Sequence, residues 1–198
     1  MTAPSIGLRE RKKEATRQAL SEAAVRLAVE HGLERLTVEA IADAADVSRR
    51  TFSNYFASKE EALLHSDQER MRRLLELVRA RPAGEQPWQA LSSAALELVT
   101  GRSTDPRWLE QVRLLRRHPS LAARQVAQYA DAEQALAAAV AERLPGPDQD
   151  ADSALRARLL AAALLMTLRV AVQHWIADPA AALPEVLDRA LVLARPAS

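Results

Sequence analysis

The chain has 198 residues, with 27 Lys and Arg against 26 Asp and Glu, four His and no Cys, so its net charge is +1. The lack of cysteine excludes disulfide scaffolds, Cys-ligated zinc and thiol catalysis. The length fits one domain or a small domain joined to a larger one. No uninterrupted apolar run approaches the ~20 residues of a membrane-spanning helix, and the first residues lack a signal-peptide pattern. We therefore expect a cytoplasmic protein.

Helix-forming residues dominate the chain, because the stretches between clusters of proline and glycine are rich in Ala, Leu, Arg and Glu. We find no alternation of apolar and polar residues of the kind that indicates strands. Start and stop signals predict about nine helices. In chain order they span about 9–31, 38–44, 49–56, 58–81, 88–99, 106–117, 119–144, 152–177 and 184–194. The expected fold is all-α.

Positive charge is concentrated in the first third of the chain. Five basic residues and two acidic ones lie between Arg9 and Arg17, and three basic residues and no acidic one lie between Ser48 and Lys59. Two short predicted helices, 38–44 and 49–56, are joined by a short turn, and the second of them lies in the second basic segment. This arrangement is typical of a helix-turn-helix, whose second helix enters the DNA major groove.

The second short helix is predicted to have two different faces. At about 100° per residue, Phe52 and Phe56 fall on one side, and Arg50 and Asn54 fall on the opposite side. The aromatic side is expected in the core, with Tyr55 at its edge. Arginine pairs with guanine and asparagine pairs with adenine in the major groove. The outward pair is therefore a candidate for reading bases.

Neighbouring polar residues suit contacts to the sugar-phosphate backbone. Thr51 and Ser53 flank the outward pair, and their hydroxyl groups can bind phosphates or bases. Arg49 lies near the helix start, and we expect it to reach the DNA backbone and not the bases. Lys59 lies in the first turn of the next helix, where a cation and an exposed helix N-terminus both favour a phosphate.

Two other classes of function agree less well with the sequence. An enzyme is disfavoured because the sequence has no glycine-rich phosphate loop, no Gly-x-Ser-x-Gly elbow and no His-x-x-x-His spacing. We accordingly expect no catalytic residues, no metal site and no cofactor. A helical adaptor that binds only protein is the alternative, but it leaves the position of Arg50 and Asn54 opposite the aromatic surface without a reason.

Residues 37–63 resemble the DNA-binding domain of the TetR family of bacterial transcriptional regulators. Upstream, Thr16-Arg-Gln-Ala-Leu, Ala24, Leu27 and His31-Gly32 are similar to the first helix of that family, so the resemblance covers about residues 9–65. One departure is Asp46, which stands in the turn where the family often has glycine. Aspartate tolerates turn conformations better than most other residues, so we expect the turn to be kept.

The resemblance implies a homodimeric, ligand-responsive regulator, chiefly a repressor, that binds a pseudo-palindromic DNA operator and is released by a small-molecule effector. It implies a helix-turn-helix domain over 1–57 and an effector-binding and dimerisation domain, a helical bundle, over 58–198. The implied dimer interface lies on the helices at about 152–177 and 184–194. The positions that match the family's DNA contacts or flank them are Thr37, Ser48, Arg49, Arg50, Thr51, Ser53, Asn54, Tyr55 and Lys59.

The C-terminal part resembles one branch of the family. Residues 114–124 and 168–175 are similar to regulators related to mycofactocin biosynthesis and to fatty-acyl-CoA response, which implies a small hydrophobic or acyl-type effector. Arg169 and His174 interrupt an apolar helix, where buried polar groups need a ligand or an acidic partner. That helix also has an apolar surface too broad for one packing face, which independently favours dimerisation. The candidate effector residues are Trp88, Trp108, Arg113, His118, Tyr129, Arg169 and His174.

Overall fold

The computed structural model describes residues 7–100, 106–144, 151–178 and 180–196. These residues form nine α-helices and no strand, as the composition predicts. The helices are α1 (Leu8–His31), α2 (Val38–Ala44), α3 (Arg49–Ser53), α4 (Lys59–Ala80), α5 (Pro87–Thr100), α6 (Pro106–Arg117), α7 (Pro119–Ala141), α8 (Ala151–Ala177) and α9 (Leu183–Leu193). A 3-10 turn over Leu33–Arg35 connects α1 to α2.

The predicted end of α3 is wrong by three residues, because the helix ends at Ser53 rather than at residue 56. The backbone amide of Asn54 donates to the carbonyl of Thr51 at 3.0 Å, and the backbone amide of Tyr55 donates to the carbonyl of Phe52 at 2.9 Å. Both bonds span three residues, so the last turn is tighter than an α-helix. The amide of Phe56 then returns to the carbonyl of Phe52 at 3.0 Å, which keeps the aromatic residues on one side as expected.

A first compact unit consists of residues 1–68 and 106–123. Its core is formed by side chains from α1, α2, α3 and the beginning of α4, together with Leu114 and Leu121 of α6 and α7. Gln111 is buried, and its Nε2 donates to the carbonyl of Leu63 at 2.7 Å. This bond satisfies a buried amide and ties α6 to α4. The fully buried large residues of this unit are Leu20, Ile41, Phe52, Leu63, Leu64 and Leu121.

A second compact unit consists of residues 69–105 and 124–198. Its core includes Leu91 of α5, Leu136 of α7, Leu164 of α8 and Leu187 of α9, all fully buried. The guanidinium group of Arg143 donates to the carbonyls at the end of α4 and just beyond it, at 2.7 Å to Val78, 2.8 Å to Arg81 and 2.9 Å to Pro82. These bonds satisfy carbonyl groups that the end of a helix leaves without a partner.

Helix α8 is apolar on two sides. One side is buried and carries Leu164 and Leu168, and the other side carries exposed apolar residues. Leu155, Leu159, Met166 and Val170 fall within an arc of about 60° at 100° per residue, and they are 47 to 60% exposed. These four residues form the exposed apolar row of α8. Helix α8 is long and apolar enough to cross a membrane by length and composition alone. The core helix of a soluble protein meets the same criterion.

Candidate nucleic-acid interface

Two of the predicted DNA-contacting residues are the N-caps of the two short helices. The hydroxyl of Thr37 accepts a hydrogen bond from the amide of Ala40 at 3.1 Å, and that of Ser48 accepts one from the amide of Thr51 at 3.0 Å. The Ser48 and Thr51 hydroxyls also lie 2.9 Å apart. These bonds satisfy backbone amides in the first turn of each helix, which have no partner within the helix. Thr37 and Ser48 remain exposed, so each hydroxyl can still meet a phosphate.

The turn between α2 and α3 depends on the backbone conformation of Asp46. This residue has a φ of 54° and is the only non-glycine residue with positive φ among those that the structure describes. Glycine adopts that conformation without a steric penalty, whereas in other residues Cβ comes too close to a backbone carbonyl oxygen. The turn closes with a hydrogen bond of 3.0 Å from the amide of Val47 to the carbonyl of Ala42. The expectation that aspartate keeps the turn is therefore confirmed.

Helix α3 has the two predicted faces. Phe52 and Phe56 are 1% and 4% exposed, with ring centroids 5.8 Å apart. Arg50, Ser53 and Asn54 are exposed. The aromatic rings hold a helix of only five residues against the core because they bury a large area for each residue. The guanidinium and carboxamide groups are therefore presented to solvent from a rigid base.

Arg49 forms an ion pair with an acidic side chain of α2. Its Nη1 lies 2.9 Å from Oε1 of Glu39 on α2, and both side chains are more than half exposed. An exposed pair of this kind contributes little to stability, but it links α2 to α3 and partly neutralises Arg49. Arg50 has the larger share of free positive charge on this face.

Lys59 has a role that the sequence did not predict. Its Nζ donates to the carbonyl of Leu36 at 2.8 Å and to that of Leu33 at 3.2 Å. The start of α4 is thereby tied to the segment that leads into α2. An ammonium group has three protons, so a single proton remains for a phosphate. The predicted phosphate contact of Lys59 stays a prediction, and the structure adds a positioning role.

A groove of about 690 Å³ lies between the beginning of α1 and α3. Tyr55, which is half-buried as predicted for the edge of the core, lines it together with Thr51 and Asn54. The α1 side of this groove is formed by Leu8, Arg9, Lys12, Lys13 and Thr16. The basic residues are evident in the sequence, but their position beside α3 is not, because spacing along the chain does not show which helices are neighbours.

The seven predicted effector residues are divided between the two units. Trp108 and His118 are half-buried in the first unit, where Arg113 is exposed. In the second unit, Tyr129 is half-buried, and Trp88 lines a groove of about 310 Å³ between α5 and α9.

The expectation that Arg169 and His174 are buried in this chain is wrong. Both residues lie on α8 and are exposed, and Nη2 of Arg169 lies 2.7 Å from the sulfur of Met166 in the exposed apolar row. Within the single chain their polar groups can therefore be satisfied by water, so their presence in an apolar helix does not by itself require a ligand.

Comparison with known proteins agrees with this geometry. Residues 20–65 match the family described as bacterial regulatory proteins of the tetR family, and residues 85–197 match the family described as the MftR C-terminal domain. The second match extends over more than half of the chain. The predicted resemblance to the branch related to mycofactocin is therefore confirmed.

Individual relatives lead to the same family. The HTH-type transcriptional regulator TcmR of Streptomyces glaucescens is 37% identical over 177 residues, which cover 85% of this chain and 76% of TcmR. The putative mycofactocin biosynthesis transcriptional regulator MftR of Mycobacterium tuberculosis is 28% identical, over 91% of this chain and 89% of MftR.

A solved structure has the same fold. The crystal structure of FadR from Thermus thermophilus, a TetR-family transcriptional repressor in complex with lauroyl-CoA, is 26% identical with a TM-score of 0.56, and the match covers 91% of this chain and 97% of FadR. The chain belongs to the TetR family of bacterial transcriptional regulators, with a C-terminal region of the MftR type.

Proposed function

We propose that the chain is a cytoplasmic, dimeric repressor that reads a pseudo-palindromic operator with α3. The observation that supports this most directly is the position of Arg50 and Asn54. Arg50 is exposed on α3, and Asn54 is exposed at the C-cap that follows, whereas Phe52 on the opposite face is only 1% exposed. Arginine and asparagine on such a face can pair bidentately with guanine and adenine.

The remaining polar residues around α3 are proposed to position the protein on the duplex. Hydrogen bonds to phosphate fix register and orientation but carry no sequence information. For Lys59, two of whose protons are used by carbonyls, we propose chiefly a positioning role. The proposed backbone contacts are Thr37, Ser48, Arg49, Thr51, Ser53 and Tyr55, and the helix-turn-helix domain is taken as 1–57, with the effector and dimerisation domain over 58–198.

Dimerisation is supported by the exposed apolar row on α8. An apolar helix face left in water is unfavourable, and a second copy that presents the same row would cover it. Val192 and Leu193 at the end of α9 are also exposed, at 68% and 87%. We therefore place the dimer interface on α8 and α9. A dimer carries two copies of α3, one for each half-site of a pseudo-palindromic operator.

An acyl-type effector is supported by the relatives rather than by a pocket. FadR of Thermus thermophilus was crystallised with lauroyl-CoA, and the C-terminal region here matches the MftR type. We propose a small hydrophobic or acyl-type ligand for the C-terminal domain, where Trp88 and Tyr129 are half-buried. A ligand that binds only the released conformation shifts the population away from DNA.

The DNA-reading proposal is tested by selecting operators from random duplexes with the purified protein and comparing two neighbouring variants. Arg50→Ala should lower the affinity for the selected sequence by about 1–3 kcal/mol and relax the preference at one base pair. Arg49→Ala should weaken binding less and equally for all sequences, because Arg49 is paired with Glu39. Failure to select any sequence, or an unchanged operator dissociation constant for Arg50→Ala, would contradict the proposal.

The effector class is tested separately with lauroyl-CoA and lauric acid as probes. Release of the operator by lauroyl-CoA, together with a concentration-dependent rise in melting temperature, would support an acyl effector. If neither probe changes the melting temperature or the DNA affinity, the effector class is wrong, and the DNA-binding proposal is unaffected.

A further inference from the structure

The beginning of α1 separates its positive and negative charges onto different sides. At about 100° per residue, Arg9, Lys12 and Lys13 share an arc of about 100°, whereas Glu10 and Glu14 lie on an adjacent side. All five side chains are exposed. The three cations thus form a basic face on the first two turns of the helix.

The basic face continues the face of α1 that is buried further along the helix. Leu20 and Ala24 lie on nearly the same side and are fully buried in the core of the first unit. At Thr16 this face passes from the core to the groove beside α3, because Thr16 is half-buried and lines that groove. The cations are therefore held beside α3 by a rigid helix and not by a flexible tail.

The groove between the two helices has positive charge on one wall and DNA-reading groups on the other. Arg9, Lys12 and Lys13 line its α1 side, and Asn54 with Thr51 lines its α3 side. No acidic side chain lines this groove among the residues that the structure describes. With a volume of about 690 Å³, it is open to an extended anionic chain.

We propose that one strand of the operator's phosphodiester backbone lies in this groove, with its phosphates bound by Arg9, Lys12 and Lys13. This inference rests on the proposed DNA-reading role of α3. If α3 lies in the major groove of the DNA, the DNA strand that borders the major groove passes beside α3. From Arg9 to Lys13 the helix rises about 6 Å, and one DNA strand carries a phosphate about every 3.4 Å of axis. The basic face therefore spans about two phosphates.

The test is the salt dependence of binding to the selected operator and to a random duplex of equal length. Each phosphate contact contributes about 0.9 to the slope of log K against log salt concentration. The triple variant Arg9→Gln, Lys12→Gln, Lys13→Gln should reduce that slope by about two units for each protomer. It should weaken operator and random DNA by the same factor, so the ratio between the two affinities stays that of the wild type.

Arg11 provides a matched control. It is exposed on α1 only two residues from Lys13, but it lies on the opposite side of the helix and does not line the groove. Arg11→Gln and Lys13→Gln remove the same charge, and glutamine is a good helix former. Only Lys13→Gln should reduce the salt slope by about one unit for each protomer, and circular dichroism should show the same helix content in both.

The outcomes separate this inference from the proposed function. Equal slopes for Lys13→Gln and Arg11→Gln, or a triple variant with the slope of the wild type, would overturn the phosphate site while the operator still binds. Failure of the wild type to select or bind any operator would overturn the DNA-reading role and the phosphate site with it. A triple variant that loses affinity only for the operator would also overturn the inference, because backbone contacts carry no sequence preference.

Discussion

The ammonium nitrogen of Lys59 donates a hydrogen bond to the carbonyl oxygen of Leu36 at a distance of 2.8 Å. Leu36 directly precedes Thr37, the N-cap of α2. A second hydrogen bond of 3.2 Å joins the same nitrogen to the carbonyl of Leu33. The first turn of α4 therefore holds the connection between α1 and α2, and any shift at the start of α4 would pull on the entry to the helix-turn-helix.

Replacement of Lys59 should affect stability more than electrostatics. Lys59→Met removes the donor for two carbonyls and should lower the free energy of unfolding by about 1–2 kcal/mol. The salt slope of DNA binding should fall by clearly less than the ~0.9 of a full phosphate contact. Lys13→Met, which removes the same charge from an exposed site, should change stability by less than about 0.5 kcal/mol. Urea denaturation and salt titration measure both effects, and unchanged stability in Lys59→Met would contradict the positioning role.

The left-handed conformation of Asp46 predicts a difference between two small substitutions. With φ at 54°, Asp46→Ala should lower the free energy of unfolding by about 1 kcal/mol because a methyl side chain is disfavoured there. Asp46→Gly should not be destabilising, since glycine adopts this conformation freely. Urea denaturation of the three proteins is the measurement. Equal stability for the alanine and glycine variants would show that the backbone at this position is not strained.

The exposed row on α8 predicts that a single charge breaks the dimer. Leu159→Glu or Met166→Glu places a carboxylate in the proposed interface, where an unpaired charge is costly to bury. Each variant should elute as a monomer in size-exclusion chromatography with light scattering, and its operator affinity should fall. Ala154→Glu adds the same charge at an exposed position outside the row and should remain dimeric. Dimeric Leu159→Glu and Met166→Glu proteins would place the interface elsewhere.

The pair Arg81 and Glu85 predicts a pH dependence of stability. The hydrogen bond from Nε of Arg81 to Oε2 of Glu85, at 2.9 Å, lowers the pKa of Glu85 below its ordinary value near 4.5, against the opposing effect of burial. A lowered folded-state pKa stabilises the protein above the ordinary value, and this contribution is lost as the pH falls through the folded-state pKa. The difference in unfolding free energy between wild type and Glu85→Gln should thus be full at pH 7 and shrink below about pH 4.5.

Arg81→Met is the matched control for this prediction, because it removes the other partner of the same hydrogen bond. It should lose most of the pH-dependent part of the stability that Glu85→Gln loses, because Arg81 is the main cause of the lowered pKa of Glu85 and Arg143 adds a smaller effect. Urea denaturation at pH 7, 5, 4 and 3 measures all three proteins. A difference from wild type that is as large at pH 3 as at pH 7 would contradict the assigned cause of the pKa shift.

The candidate site was only partly predictable from local pattern. The opposite positions of Phe52 and Arg50 follow from helical spacing alone, and burial and exposure in the structure agree with them. The ion pair between Arg49 and Glu39 and the bonds of Lys59 to Leu33 and Leu36 were not predictable. They join residues from different elements, and their geometry depends on how those elements pack.

The sequence by itself determined the helical class, the positions of the helices and the two-faced α3, because helix propensity, capping and 3.6-residue periodicity act over neighbouring residues. Only the tertiary structure decided that the basic start of α1 lies beside α3, that Lys59 is held by backbone carbonyls, and that Arg169 and His174 face solvent while Leu159 and Met166 form an exposed row. These are relations between residues distant in the chain or between a helix and its surroundings, and packing of the whole core sets them.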